Sequence, residues 1–233
     1  MSNRLKHLGI IMDGNRRWAK KNKKISVLLG HEEGAKRFGD LLNWCMEEKI
    51  PYLTVYAFST ENFNRSKEEV EGLFSLFEKF FNAHIEECIK EGIRILFIGD
   101  KNLLSDNAKH VVNETENRTI SGTNLVVQIA LAYGGRDEIV RSVKNIALDV
   151  KKGVLDVNDI NEELFSNYLD TKGINDVDLI IRTGGNKRLS NFLPWQSTYS
   201  EIVFTDTLWP DFSYEELKKI ILYYRDIQIN KGK

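Results

Sequence analysis

Ile10-Ile11-Met12-Asp13-Gly14-Asn15-Arg16-Arg17-Trp18 is the stretch on which the fold turns. It closes the apolar run His7–Met12 with an acid and a glycine, and a helix-compatible sequence follows. A short Ile/Leu-rich run ending this way reads as a strand whose carboxyl end opens onto a loop and a helix. Runs of the same kind recur at Leu53–Phe58, Ile93–Ile98, Leu125–Leu131, Val177–Ile181 and Ile202–Phe204. Continuous apolar strands separated by helical stretches imply a central, mainly parallel sheet of about six strands with helices on both faces. Ser66-Lys-Glu-Glu69 and Ser213-Tyr-Glu-Glu216 are capping boxes, which place helix starts near 67 and 214. No linker rich in Pro, Gly or Ser interrupts the pattern, so one α/β domain over residues 1–233 is expected.

Composition narrows the function classes. A chain of 233 residues buries a sizeable core without staples. Its 33 Lys and Arg against 34 Asp and Glu leave a net charge of −1, which argues against a nucleic-acid coat and against an acidic disordered tail. The two cysteines, Cys45 and Cys88, provide neither a disulfide framework nor a cysteine-rich zinc site. No apolar run approaches the ~20 residues of a membrane span, and the opening MSNRLKHLGIIMDGN is too weakly apolar for a signal peptide. A cytoplasmic protein is the resulting expectation.

The helix beginning near Lys67 carries Val70, Leu73, Phe74, Phe77, Phe80, Phe81, Ile85 and Cys88 at three- and four-residue spacings. Such a stripe either packs on the sheet as plain core or walls an elongated apolar cavity, and the pattern fits both.

Polar clusters follow the strands, where ligands bind in open α/β sheets. In the first, Gly14 permits close backbone approach to a ligand, the following amides can receive an anion, and Arg17 offers a fork of donors to a phosphate. Asp13 beside a phosphate is repulsive unless a divalent cation such as Mg2+ lies between them; otherwise it is a helix cap. The second cluster, Ser59-Thr60-Glu61-Asn62-Phe63-Asn64-Arg65, brings Ser59, Asn62 and Arg65 to the same edge, with Phe63 as core anchor or lid. The third, Arg182-Thr-Gly-Gly-Asn-Lys-Arg188-Leu-Ser190, gathers donors for a second polyanion. Glu201, just before the last strand, is a salt-bridge partner or a second metal ligand. Together these residues fit a substrate with a diphosphate head and a greasy body.

At these positions the sequence resembles the cis-prenyltransferase family. The resemblance rests on HLGIIMDGNRRWAKK from His7, GHEEG at Gly30–Gly34, YAFSTENFNR at 56–65, AYGGRDE at 132–138, DLIIRTGGNKRLSNFLPWQ at 178–196 and YSEIVFTDTLWPDF at 199–212. It implies a homodimer that condenses isopentenyl diphosphate onto an allylic diphosphate with new Z double bonds. By the same resemblance, Asp13 would hold Mg2+ and assist departure of the allylic diphosphate, and Glu201 would complete the metal site. Gly14, Asn15, Arg17 and His31 would cradle that diphosphate, with Arg16 and Trp18 in the same motif. Asn62 would lie near the reacting carbons, among the substrate-binding Ser59, Thr60, Glu61, Phe63 and Arg65. Arg182, Arg188 and Ser190 would grip isopentenyl diphosphate. Leu73, Leu76, Phe77 and Phe81 would line a tunnel for the growing chain; a polyprenyl product must end in lipid, which leaves room for peripheral membrane contact at its release.

The chain departs from the family pattern at three places. Val27 replaces a usual Arg, with Lys23 or Lys24 as candidate substitutes; Asn186 replaces a frequent acid; and Asn230-Lys231-Gly232 replaces an Arg-x-Gly tail. The rival readings are a non-catalytic prenyltransferase-like partner subunit and a phosphohydrolase with Asp13 as nucleophile. Asn15 stands where the second acid of such hydrolases is wanted. A nucleic-acid role finds no basic surplus or binding module.

Overall fold

β1 (His7–Ile11) is buried at every position and forms the axis of the molecule. On one side it pairs in parallel with β2 (Tyr52–Ser59), and on the other with β5 (Leu179–Arg182). With β3 (Ile93–Ile98), β4 (Leu125–Tyr133) and β6 (Glu201–Phe204), the strands form one all-parallel sheet in the order β3-β4-β2-β1-β5-β6. The computed structural model describes residues 4–227. The tail Asn230-Lys231-Gly232 lies outside that range.

Alternation along the strands divides the core between the two faces. Leu8, Ile10, Leu179 and Ile181 belong to one cluster, which α2 (Leu28–Glu47), α3 (Lys67–Lys90), α4 (Asp106–Arg118) and α7 (Tyr214–Asp226) cover with Leu41, Phe81, Val112 and Ile221. Ile11 and Ile180 point to the opposite face, against Tyr133, Phe192 and Leu193. α5 (Gly135–Lys151) lies on that second side, where its buried Glu138 accepts the Tyr133 hydroxyl at 2.6 Å. The short α1 (Asn15–Lys21) follows β1, and α6 (Glu162–Ser166) precedes β5.

The helix starts obey local chemistry. The Ser66 hydroxyl accepts the Glu69 N–H at 3.3 Å and the Ser213 hydroxyl accepts that of Glu216 at 3.2 Å, as the capping boxes imply. The acidic residues Glu68, Glu69, Glu215 and Glu216 fill the first turns, where the helix dipole favours them. The order of strands positions the site. Connections leave β1 toward β2 on one side while β5 lies on the other, so the carboxyl ends of β1 and β5 flank a crevice.

Candidate active site

Asp13 stands two residues beyond the last ladder position of β1 and is held from both ends. Its backbone oxygen accepts the Thr183 hydroxyl at 2.7 Å and the Trp209 N–H at 3.1 Å. Its carboxylate accepts Arg17 Nη2 at 3.2 Å, Arg182 Nη2 at 3.0 Å and Asn186 Nδ2 at 2.8 Å. Burial alone would raise its pKa; the hydrogen bonds from Asn186 and Arg182, with the charges of Arg182 and Arg17, outweigh it and hold the carboxyl below its ordinary value. It is therefore ionised at neutral pH.

Gly14 follows at φ 120°, where a side chain is strained, and a Cβ there would meet the Leu208 and Trp209 backbone at 3.0 Å. This glycine opens α1 and points Asn15, Arg16 and Arg17 toward the crevice. Arg182 is 4% exposed. Its Nη1 donates to Ser190 Oγ at 2.8 Å and to the Arg188 carbonyl, which draws the 188–190 loop over the end of β5. The crevice, of about 870 Å³, is lined by Asp13, Gly14, Asn15, Arg16, Arg17, His31, Ser59, Glu61, Asn62, Arg65, Arg182, Arg188 and Ser190, all expected from the sequence. Lys20, Tyr56, Asn186 and Asn191 also line it. Six cationic side chains thus face two carboxylates across the crevice, an excess suited to polyanions.

Several expected residues are placed elsewhere. Trp18 donates its indole N–H to Asp211 at 2.6 Å and supports Lys24 above its ring, so Lys24 is engaged away from the crevice. Lys20, which the sequence motifs did not single out, lines the crevice instead. Phe63 packs edge-on against Phe58 and stacks on Phe74, which makes it a core anchor rather than a lid. The Thr60 hydroxyl turns to Glu61 at 3.3 Å. Glu201 needs a correction. It pairs with Leu179 at the start of β6, three residues before the level of Arg182, on the order of 10 Å down the sheet. Sequence proximity to the last strand carried no register, and within one chain Glu201 does not join Asp13.

Among the described residues no cluster of three or more His, Cys, Asp or Glu could hold a metal. A lone ionised carboxylate beside a phosphate pocket still fits Mg2+, which commonly takes one protein carboxylate and substrate phosphate oxygens. Asn15 Oδ1 is buried without a hydrogen-bond partner and lies against Gly34, where an added Cβ would collide with it.

His31 joins the polar crevice to the apolar cavity behind it. Its Nε2 is buried and unpartnered. Burial, followed by the charges of Arg65 and Arg16, lowers its pKa from 6.5 to about 4. The unfolded chain therefore takes up this proton first, so the contribution to stability is full above pH 6.5 and declines as pH falls toward 4. His31→Gln is expected to flatten part of the drop in melting temperature over that window, and an unchanged slope would contradict a buried neutral imidazole.

Behind His31, Met12 and Phe58, an apolar cavity of about 130 Å³ runs along α3. Leu73, Leu76, Phe77 and Phe81 line it as expected, together with Phe38, Phe74, Phe80 and Leu131. Phe77 and Phe81 meet Phe97 of β3 at ring-centroid distances of 5.6 and 5.4 Å, which ties this wall of the cavity to the sheet. The space resembles in size an engineered void of about 150 Å³ that admits benzene.

A cationic crevice at a parallel-sheet switch point that adjoins an apolar chamber has the chemistry for a ligand with an anionic head and a greasy body. The family model described as "Putative undecaprenyl diphosphate synthase" matches residues 11–232. Ditrans,polycis-undecaprenyl-diphosphate synthase ((2E,6E)-farnesyl-diphosphate specific) of Buchnera aphidicola is 45% identical over 94% of this chain and 88% of its own. Tritrans,polycis-undecaprenyl-diphosphate synthase (geranylgeranyl-diphosphate specific) of Pyrococcus abyssi is 49% identical over 93% and 82%. The crystal structure of lavandulyl diphosphate synthase from Lavandula x intermedia, in complex with dimethylallyl diphosphate, superposes with a TM-score of 0.95 at 34% identity, covering 99% of each chain. The chain belongs to the undecaprenyl diphosphate synthase family of cis-prenyltransferases. It is an enzyme of polyprenyl diphosphate synthesis by cis-prenyl transfer.

Proposed function

We propose that the chain carries out Mg2+-dependent, sequential Z-condensation of isopentenyl diphosphate onto an allylic diphosphate, with farnesyl diphosphate as primer and a long product such as undecaprenyl diphosphate. The observation that carries this reading is that the charged crevice and the apolar cavity adjoin, both lined by Met12, Asn15, His31, Ala57, Phe58 and Leu73. One molecule with a diphosphate head and an isoprenoid body spans both.

Gly14, Asn15, Arg16, Arg17 and His31 receive the allylic diphosphate, with Lys20 beside them in place of the absent family arginine. Arg182, Arg188 and Ser190 receive the isopentenyl diphosphate on the far side of Asp13. When bound, Mg2+ held by Asp13 supplies charge neutralisation to the departing diphosphate. The arginines and the α1 amides are preorganised donors for the negative charge that grows as the allylic C–O bond breaks. Asn62 borders the space between the two diphosphates, supported by its bond from the Ser59 N–H at 3.1 Å. The isopentenyl double bond then forms the new C–C bond and loses a proton, to a diphosphate oxygen or to Asp13. Placing both substrates in one crevice makes this encounter effectively unimolecular.

The deciding experiment is incubation of the purified chain with radiolabelled isopentenyl diphosphate, Mg2+ and either farnesyl or geranylgeranyl diphosphate, followed by product sizing. Long labelled polyprenyl products support the reading. No incorporation by the chain alone, restored by a second protein, would make it a non-catalytic partner subunit. Leu73→Trp or Phe77→Trp is expected to shorten the product by filling the cavity, and an unaltered length distribution would mark this face as plain core.

A homodimer belongs to the same reading. It is supported by two separate observations: α5 exposes Val140 and Val143, both about half accessible, on one face, and β6, which among the described residues pairs only with β5, leaves an open strand edge. A monomer in sedimentation at micromolar concentration would remove it. No described helix is long and apolar enough to cross a membrane; membrane contact on product release is proposed from the lipid nature of the product.

A further inference from the structure

The loop that brings Arg188 and Ser190 over the crevice has an unfavourable backbone. Ser190, Asn191 and Leu193 all occupy the left-handed region, at φ 50°, 66° and 48°. Each such residue costs on the order of 1–2 kcal/mol, less for asparagine, so the conformation persists only if outside contacts impose it. Asn191 supplies several. Its carbonyl accepts the Gly135 N–H at 2.8 Å and its Oδ1 accepts the Arg136 N–H at 2.8 Å. These amides open α5, whose own capping position, Gly134, has no side chain to receive them. Its Nδ2 donates to Glu61 Oε1 at 3.0 Å, across 130 residues of sequence. Glu61 sits in the 3-10 turn Thr60–Asn64, one residue before Asn62. Next to Asn191, the Ser190 carbonyl accepts the Tyr56 hydroxyl at 3.3 Å and the Ser190 hydroxyl accepts Arg182.

We propose that Asn191 is a positioning residue: it clamps the Arg188–Ser190 loop to Glu61 and to the start of α5, and so fixes the spacing between the two diphosphate-binding halves of the crevice. The inference deepens the proposed function and rests on it for the identity of the ligand. Asparagine suits the position on three counts. It tolerates the left-handed backbone, accepts from a helix amide, and donates to a carboxylate. Aspartate meets the first two and fails the third, since it sets a second carboxylate against Glu61.

The test uses that difference, with the full chain as wild type, Asn191→Asp, Glu61→Gln and the double variant Glu61→Gln/Asn191→Asp. In the double variant the amide introduced at position 61 can donate to the carboxylate introduced at position 191, which restores the bond with its polarity reversed. Two properties are measured: the dissociation constant of isopentenyl diphosphate by calorimetric titration, and the rate of native-state tryptic cleavage after Lys187 and Arg188, with sites assigned by mass spectrometry. Asn191→Asp is expected to weaken binding and to accelerate cleavage, each about tenfold, the scale of a like-charge contact at a partly exposed site. The double variant is expected to return cleavage to within about threefold of wild type and binding to within about threefold of the Glu61→Gln single variant, which carries any direct effect of Glu61 on the ligand.

A double variant as impaired as Asn191→Asp, or an Asn191→Asp protein equal to wild type in both properties, overturns the clamp. Rescued cleavage with binding that never changed would reduce Asn191 to a loop anchor and overturn its positioning role. Wild type that fails to bind isopentenyl diphosphate would refute the proposed function instead, and the cleavage series would then judge the clamp by itself.

Discussion

Asp13→Ala is expected to leave the chain folded and to lower turnover on the order of a thousandfold, the scale of losing one preorganised stabiliser of transition-state charge. The fold survives because the residue is anchored by its main chain: the bonds from Thr183 and Trp209 to its carbonyl do not need the carboxylate. What disappears is the negative centre between Arg17 and Arg182. In the resting protein that centre is balanced by the two arginines and hydrogen-bonded by Asn186, so under the proposed function Mg2+ would have to compete with them, and a diphosphate would help by drawing the guanidinium groups to itself. Without the carboxylate, diphosphate still meets a cationic crevice, so affinity is retained while turnover is lost. Single-turnover assays beside a thermal melt check this. Wild-type turnover in a folded Asp13→Ala protein would remove Asp13 from the chemistry.

Arg182→Ala carries the second large effect, on affinity for isopentenyl diphosphate. The side chain is nearly inaccessible, and three partners depend on it: the Asp13 carboxylate, the Ser190 hydroxyl and the Arg188 carbonyl. Truncating a buried, hydrogen-bonded charge costs about 3 kcal/mol, so KM for isopentenyl diphosphate should rise roughly a hundredfold. The unpartnered Nε of Arg182 indicates unused donor capacity in this guanidinium. Arg182→Lys should recover only part of the loss, because an ammonium cannot reach Asp13 and Ser190 at once in the planar geometry of the fork. Unchanged KM in Arg182→Ala would place the second diphosphate elsewhere.

The sheet was legible because its central strands, β1 and β5, are buried at every position and read as short apolar runs, and the less covered strands still carry enough Ile, Val and Leu to follow the same pattern. Ile93–Ile98 emerges with both ends as read. The Val177–Ile181 run begins as a strand only at Leu179. Asp178 intervenes, and its carboxylate accepts the N–H groups of Lys6 and His7, both at 2.8 Å. The crevice was legible in part. Asp13, Arg17 and Arg182 follow strands directly, and parallel strands bring their carboxyl ends together whatever their order. Residues whose roles depend on tertiary register were not legible. Glu201 looked close to the site because it adjoins a strand, but it adjoins the wrong end. Tyr56 and Asn191 looked like an ordinary strand residue and an ordinary loop residue. Glu69 was visible only as half of a capping box, although it also receives Arg65 at 3.1 Å and stands 3.6 Å from Arg16.

The aromatic wall on α3 is anchored unevenly. Its fully buried residues, Phe81, Ile85 and Cys88, all lie in the carboxyl-terminal half, while Leu73, Phe74 and Phe77 nearer the mouth are only partly covered. A helix seated this way is packed more completely around Ile85 than along its amino-terminal half. If the proposed condensation runs along this wall, each five-carbon unit would meet the partly covered residues first and the fully buried Phe81 last, so how firmly the helix is packed, as well as its length, would bear on where growth stops.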